Sequence, residues 1–259
     1  MREAYGDIAV KVRGAVAVVE LNRPPHNHVS VALMGELADA LEDIDRQGAL
    51  RSVVMSAAGK SFCAGADFAA PAPAQSGESS GISALYQQAV RLFSTQKPIV
   101  AAVQGSAIGA GLGLALAADF RIAAPEARFS ANFVKLGFHP GFGITATLPR
   151  LIGPQKAALM CLTGRRIKAE EALAWGLVDA VVGADLLQEA AFNLASEIAE
   201  NAPLAVQATR ATLRAGLAEA VRAQTGKEFI EQARLRTTAD FAEGIRAVAE
   251  RRPGKFIGS

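Results

Sequence analysis

The chain has 259 residues, of which 51% are hydrophobic and 20% are charged, and its formal net charge is only +2. This composition is typical of a globular protein that buries a large core, in one large or two small domains, and not of a disordered chain. The near-balanced charge gives no electrostatic footprint for nucleic-acid binding.

The cysteines and the charged residues near the N-terminus indicate the cellular compartment in which the protein folds. Cys63 and Cys161 form no CxxC pair and no cluster with histidine, which predicts a reducing compartment and no structural zinc. Residues 1–7 carry charges of both signs, so we expect no signal peptide and a cytoplasmic protein.

The uncharged segment 98–118 is long enough to span a bilayer. Because polar and glycine residues interrupt it at 104–106, we expect a buried strand, a glycine turn and a buried helix there, and no membrane contact.

Strand and helix patterns alternate in the first 150 residues. Apolar patterns predict strands at residues 8–12, 16–21, 52–56, 99–103 and 120–123. Apolar residues at helical spacing predict helices between them at residues 33–44, 82–95 and from about 110. A Pro-, Ser- and Gly-rich loop lies at 69–81, and helices alone are predicted after residue 154. The pattern favours a mixed α/β core, residues 1–200, followed by a C-terminal helical region, residues 201–259.

Two glycine-containing turns, at residues 62–67 and 105–113, each follow a predicted buried strand, and the second opens a helix. Small residues let a ligand approach the main chain, and a helix start offers unpaired N–H groups. Two such donors that converge on one point would form an oxyanion hole for a thioester carbonyl. Glycine turns after strands are also common in a purely structural role, so both interpretations stay open on spacing alone.

A dinucleotide fingerprint is the main competing interpretation of the second turn. Gly109 and Gly111 would need a third glycine at position 114, which is Leu114, and no acidic residue follows about 20 residues later in a strand. Neither turn ends in the Gly-Lys-Ser/Thr sequence of a P-loop. We therefore expect no bound nucleotide cofactor.

Eight short motifs, in order along nearly the whole chain, resemble the landmarks of the crotonase (enoyl-CoA hydratase/isomerase) superfamily. They are LNRP at 21–24, FCAGAD at 62–67, VQGSAIGAG at 103–111, ADFRI at 118–122, KLG at 135–137, LTG at 162–164, EALAWGLV at 171–178 and FAEGIR at 241–246. This resemblance is specific for the superfamily and much less specific for the reaction.

The resemblance implies a spiral of ββα units with a helical C-terminal trimerisation region, and homotrimers that usually pair into hexamers. It also implies that CoA enters as part of an acyl-CoA substrate and that no separate cofactor is needed. By position, the oxyanion donors would be the amides of Ala66 and Ala110. Substrate or CoA contacts are expected at Ala64, Gly65, Asp67, Phe68, Gly109, Gly111, Asn132, Phe133, Phe241 and Lys255.

The sequence departs from the hydratases of this superfamily at the two proton-transfer positions. Those enzymes use two glutamates, and the matching residues here are Gly113 and Phe133. Neither side chain can transfer a proton, and the loss of one general acid/base group costs about 10²–10⁴-fold in rate. We therefore expect no efficient hydration of a 2-enoyl-CoA.

Histidines are the remaining candidates for acid/base chemistry. His139 lies in the glycine-flanked loop 137–143, and an ordinary histidine titrates near neutral pH, so it is the predicted acid/base. The alternative is that it only bonds to the loop backbone. His26 and His28 form an HxH pair without a third ligand nearby, so we predict no metal there. A loop contact with the CoA ribose-phosphate is the alternative, and we interpret both as solvent-exposed loop residues.

Two classes of function fit these residues. An acyl-CoA isomerase, decarboxylase or hydrolase would fit, because each reaction passes through an oxyanion at the same carbonyl. A non-catalytic acyl-CoA-binding or regulatory paralogue is the alternative, which the missing glutamates favour. The sequence does not identify the acyl group.

Overall fold

The computed structural model describes residues 1–66 and 79–259, with side chains from residue 84 onward in the second range. Asp67, Phe68 and most of the predicted loop 69–81 lie outside the described residues. The remaining predicted site residues can all be placed.

A seven-stranded sheet forms the centre of the fold, with the order β1-β2-β3-β4-β5-β7-β10. Its strands are β1 (Ala4–Tyr5), β2 (Ile8–Arg13), β3 (Val16–Leu21), β4 (Ser52–Ala57), β5 (Ile99–Val103), β7 (Phe120–Ala123) and β10 (Ala180–Val181). The first three pair antiparallel, and every later pair is parallel. A smaller sheet has the order β6-β8-β9, with β6 (Ser106–Ile108), β8 (Arg128–Ser130) and β9 (Ile167–Lys168).

Ten α-helices surround the two sheets in the part of the chain that the structure describes. They are α1 (Val31–Asp45), α2 (Ser79–Phe93), α3 (Ala110–Ala117), α4 (Ile144–Ile152), α5 (Pro154–Thr163), α6 (Ala169–Ala174), α7 (Leu187–Ala199), α8 (Pro203–Leu213), α9 (Leu217–Leu235) and α10 (Ala239–Ala249). A 3-10 helix, Asn132–Leu136, follows β8. The predicted mixed α/β core with a helical C-terminal region is confirmed.

Local sequence explains where the elements begin and what they bury. Ser30 caps α1, because its hydroxyl accepts a hydrogen bond from the Leu33 amide at 3.1 Å. The stripe that includes Leu33, Leu37 and Leu41 is fully buried against the sheet. The uncharged segment 98–118 forms β5 and α3, which agree with the predicted buried strand and helix, and part of the predicted glycine turn between them forms the short strand β6. Of the helices described, none combines the length and apolarity that crossing a membrane requires.

The C-terminal helices pack back onto the core of the same chain. The main hydrophobic cluster runs from the sheet through Leu217 and Val221 of α9. An ion-pair cluster adds a second link, because Arg210 and Arg214 both contact the carboxylate of Asp119, at 2.9 and 3.0 Å. The end of the proposed core at residue 200 falls just after α7. Helices α9 and α10 lie over the loop that follows the 3-10 helix, because Val221 packs against Gly143, and the backbone of Asp240 and Phe241 packs against Gly137.

Candidate active site

The first glycine turn is clamped on one side by β6. The Cys63 amide donates to the Ser106 carbonyl at 2.9 Å, and the Ile108 amide donates to the Cys63 carbonyl at 3.0 Å. A side chain at Gly111 would overlap the same Cys63 carbonyl. The sequence therefore needs glycine at 111, because the start of α3 approaches the backbone of the first turn directly.

The segment that follows β3 clamps the turn on its other side. The Ala64 amide donates to the His26 carbonyl and the Val29 amide donates to the Gly65 carbonyl, both at 2.9 Å. Asn27 between them is fully buried. The first turn is thus held by main-chain hydrogen bonds on both of its edges.

The two predicted amide donors lie on segments that touch. Gly65 has φ +91°, and a methyl group on it would lie 2.7 Å from the Ile108 carbonyl oxygen and 3.8 Å from the Ala110 amide nitrogen. Ala110 is the first residue of α3, so its N–H has no acceptor within the helix. Among the described residues, neither the Ala66 nor the Ala110 amide is given an acceptor. The structure therefore brings both predicted donor segments together with their N–H groups free of main-chain partners in the described parts.

The second turn is bordered by the 3-10 helix. Gly109 has φ +56° and donates its amide to the Ser130 carbonyl at 2.8 Å. A methyl group on Gly109 would lie 3.4 Å from Asn132 Oδ1 and 3.7 Å from Phe133 Cζ. Asn132 and Phe133 therefore flank the turn that carries Ala110, and their predicted contact with the substrate stays a prediction.

Aromatic side chains fill the space beside the predicted proton-transfer positions. Phe142 is fully buried, and a methyl group on Gly113 would lie only 2.6–2.8 Å from it. The ring of buried Phe133 packs edge-to-face on Phe138 at 5.5 Å, and Phe138 packs on Phe241 of α10 at 5.3 Å. The surroundings of Gly113 and Phe133 are therefore apolar.

Loop 137–143 is held by polar side chains from α2 and α9. Nδ1 of half-buried His139 lies 2.7 Å from the Pro140 carbonyl oxygen. The side-chain amide of Gln232 donates to the His139 carbonyl at 2.8 Å, and the Tyr86 hydroxyl donates to Gln232 Oε1 at 2.7 Å. A side chain at Gly141 would overlap Tyr86. The His139 ring therefore bonds to its own loop and not to either glycine turn.

A buried carboxylate caps the helix that follows this loop. Glu228 is fully buried and accepts from the Gly143 amide at 2.8 Å, the Thr145 amide at 3.1 Å and the Thr145 hydroxyl at 2.5 Å. Burial raises the pKa of the Glu228 carboxyl above its usual 4.5, against these hydrogen bonds and the nearby His139, which lower it. Glu228 thus supplies the cap that the glycine-rich start of α4 lacks.

Other reactive groups near the site are not activated. Cys63 is fully buried, and burial raises the pKa of its thiol to about 12. Burial also raises the pKa of Cys161 to about 11 and that of the Tyr86 hydroxyl well above its usual value. No group of three or more His, Cys, Asp or Glu side chains suited to a metal ion occurs in residues 1–66 and 84–259. The raised pKa values therefore give no ready nucleophile at Cys63, Cys161 or Tyr86.

The two predicted C-terminal contacts, Phe241 and Lys255, lie in different environments. Phe241 joins the aromatic cluster beside the site. Lys255 is exposed, and its backbone amide bonds to Glu243 at 2.9 Å. Its ammonium group has no hydrogen bond to the described part of the chain.

Sequence reasoning missed several residues that build the site. Asn27 donates to the carbonyls of Ala58 and Ser61, both at 2.8 Å, and so fixes the approach to the first turn. Its place beside the LNRP motif was the available signal. Tyr86 and Gln232 gave no such signal, because they lie on two different helices, 146 residues apart in the chain.

Comparison with known proteins identifies the family of this chain. The family model for enoyl-CoA hydratase/isomerase matches residues 11–259. A crotonyl-CoA hydratase of Syntrophomonas wolfei is 35% identical over 257 residues, covering 98% of this chain and 99% of the relative. A carnitinyl-CoA dehydratase of Proteus mirabilis is 34% identical over 251 residues, covering 95% and 96%.

Solved structures share the fold over nearly the full length. An enoyl-CoA hydratase/isomerase of Pseudoalteromonas atlantica superposes with a TM-score of 0.86 at 30% identity, covering 97% of this chain and 100% of that one. The predicted crotonase-like α/β fold is thereby confirmed. The chain belongs to the enoyl-CoA hydratase/isomerase family of the crotonase superfamily.

Proposed function

We propose that this protein is an enzyme that transforms an acyl-CoA thioester and stabilises the enolate or oxyanion at its carbonyl with the amides of Ala66 and Ala110. The observation that carries the proposal is the contact between the two glycine turns, which leaves both amides without main-chain acceptors in the described residues. Such preorganised donors stabilise developing negative charge without reorganisation. The names of the relatives, a crotonyl-CoA hydratase and a carnitinyl-CoA dehydratase, support the substrate class.

The reaction we propose is not efficient hydration of a 2-enoyl-CoA. The relatives are named as hydratases and dehydratases, so the difference rests on this chain's own residues. Gly113 and Phe133 carry no proton-transfer group, and Phe142 fills the space next to Gly113. Water addition needs both a base and an acid near the reacting carbons, and this side of the site offers aromatic carbon instead.

His139 is the acid/base group that we assign to the reaction. Its Nδ1 faces the Pro140 carbonyl oxygen, which can only accept, so the proton of the neutral ring is held on Nδ1. Nε2 is then the nitrogen available to take up a proton. An isomerase, decarboxylase or hydrolase each needs an oxyanion site and one such group.

The remaining predicted contacts complete the substrate site. The backbone of Ala64, Gly65, Gly109 and Gly111 would line the thioester, and Asn132 and Phe133 would flank it. Asp67, Phe68, Phe241 and Lys255 would contact the CoA part or the acyl chain. CoA enters as part of the substrate, and no further cofactor is proposed.

We also propose that the chain forms trimers or hexamers in the cytoplasm. Large apolar side chains on the outer helices support association, because Leu162, Leu204 and Leu213 are 77%, 79% and 70% exposed in the single chain. Sedimentation analysis would give three or six times the chain mass of 26.9 kDa. A monomer at micromolar concentration would refute this part of the proposal.

The enzymatic proposal is tested with a panel of acyl-CoA thioesters, each measured for binding by calorimetry and for turnover by mass analysis of products. We expect binding of crotonyl-CoA without efficient hydration, and turnover of at least one other thioester. Binding without turnover of any thioester would favour the non-catalytic paralogue. Rapid hydration of crotonyl-CoA would refute the proposed difference from hydratases.

A further inference from the structure

His28 contacts the carbonyl group that directly precedes the proposed donor Ala66. Its Nδ1 lies 3.1 Å from the Gly65 carbonyl oxygen, and the same oxygen accepts the Val29 amide at 2.9 Å. A carbonyl oxygen only accepts, so the imidazole makes this bond with a proton on Nδ1. His28 is half-buried and not a freely exposed loop residue as the sequence predicted.

This carbonyl belongs to the same planar group as the Ala66 N–H. A trans peptide unit is rigid, and its C=O and N–H point in opposite directions. Bonds that hold the Gly65 carbonyl toward segment 26–29 therefore aim the Ala66 N–H away from that segment. Segment 106–110, which carries Ala110, lies on that opposite side.

We infer that His28 is a positioning residue that orients and polarises the Ala66 amide for binding the thioester oxygen. The inference rests on the proposed function. Hydrogen bonds in a chain strengthen one another, so a donor on the Gly65 oxygen makes the Ala66 N–H a better donor. The Val29 bond alone fixes the carbonyl at one point, and His28 adds the second.

A metal-binding role for the His26–His28 pair does not fit the structure. The two rings lie 5.2 Å apart at an angle of 49°, and Nδ1 of His28 is engaged by the Gly65 carbonyl. Within the described residues no third ligand completes a group. His26 is exposed and contributes only its backbone carbonyl to the turn.

Three variants separate this role from general stability. His28→Ala removes the donor, and His28→Asn restores an N–H near the Nδ1 position. His26→Ala is the matched control, because it removes the neighbouring imidazole without touching the Gly65 carbonyl. On the best substrate of the panel, we expect kcat of His28→Ala to fall about tenfold with KM changed less than about twofold, and His28→Asn and His26→Ala to stay near wild type.

The spectroscopic readout is the infrared carbonyl stretch of bound butyryl-CoA labelled with ¹³C at the thioester carbon. We expect wild type to lower this frequency, His28→Ala to lose part of the shift and His28→Asn to keep it. A full shift in His28→Ala, or an equal loss in His26→Ala, would overturn the role of His28. No shift in wild type would overturn the proposed function itself, and this inference with it.

Discussion

The site has two halves, one built from main-chain groups and one built from side chains. The main-chain half, the two glycine turns, keeps the motifs of the family and a continuous set of backbone hydrogen bonds. The side-chain half, around Gly113, Phe133 and loop 137–143, is lined by aromatic side chains, and the resemblance predicts that residues 113 and 133 are where hydratases carry their glutamates. Binding an oxyanion depends on backbone geometry, whereas moving protons depends on side-chain identity.

Under the proposed function, this difference would let one fold keep a substrate class and change the reaction. Glycines in the first half are fixed because a side chain at 65 or 111 would strike the facing backbone. In the second half only the packing must be preserved, and Phe142 achieves this by filling the space left at Gly113. The function of the two halves can therefore be tested separately.

Deleting one main-chain donor should give the largest effect. Ala110 is the first residue of α3, a position where proline is well tolerated because its missing N–H has no helical partner. Ala110→Pro should therefore lower kcat by about 10²–10³-fold while the protein stays folded. Turnover of the best acyl-CoA substrate and a thermal melt measure the two quantities.

The matched control is Ala239→Pro, which replaces the exposed first residue of α10. It should leave turnover within about twofold, since first-position proline is tolerated there as well. Equal activity of both proline variants would show that the Ala110 amide does not stabilise the oxyanion. The main-chain half would then not have the function that we propose for it.

Removing the proposed acid/base should give an effect of about 10²-fold. His139→Ala loses both ring nitrogens, whereas His139→Asn keeps a donor for the Pro140 carbonyl and loses only the nitrogen that transfers the proton. We expect kcat to fall to a similar level in both variants. Full activity of His139→Asn with a defective His139→Ala would instead assign the residue to loop structure.

Restoring the carboxylates should give a smaller, positive effect. Gly113→Glu with Phe133→Glu alone should not hydrate crotonyl-CoA, because the new side chain at 113 would clash with Phe142. Adding Phe142→Ala makes room, and we expect hydration at least about tenfold above the double variant. The decrease in absorbance of the unsaturated thioester measures the rate. Efficient hydration by the double variant would show that Phe142 does not block this half.

Most of the main-chain half could be predicted from the sequence. Both turns follow apolar strands, and their glycines indicate close backbone approach, whereas the choice of Ala66 and Ala110 as donors comes from the family resemblance. The structure places these two residues on touching segments. The strand Phe120–Ala123 was predicted at its observed bounds. These features are encoded locally, by a few adjacent residues.

The side-chain half was less predictable because its contacts are distant in the chain. Gln232 reaches the His139 carbonyl from 93 residues away, and no local pattern marks it. Helix α4 was not predicted, because Pro149 lies inside it and its cap is the carboxylate of Glu228 on α9 and not a neighbouring residue. His28 was interpreted as solvent-exposed, because the sequence does not show that the Gly65 carbonyl lies beside it.

The smallest effect concerns the hydrogen bonds by which Glu228 of α9 stabilises the end of loop 137–143 and the start of α4. Because burial raises its pKa above 4.5, the folded protein keeps a proton that the unfolded chain loses. Its contribution to the free energy of unfolding should therefore fall as pH rises from 4.5 through the raised pKa. Glu228→Gln should lose this decline, which thermal melts between pH 4 and about 8 would measure.

Glu231, one turn further along α9, is the matched control with the opposite sign. Arg234 bonds to its carboxylate and lowers its pKa, so its contribution is present above pH 4.5 and is lost as pH falls. Glu231→Gln should therefore leave the decline above pH 4.5 unchanged. If both variants show the same pH dependence, the decline does not arise at Glu228, and the buried cap of α4 is not what couples loop 137–143 to the C-terminal helices.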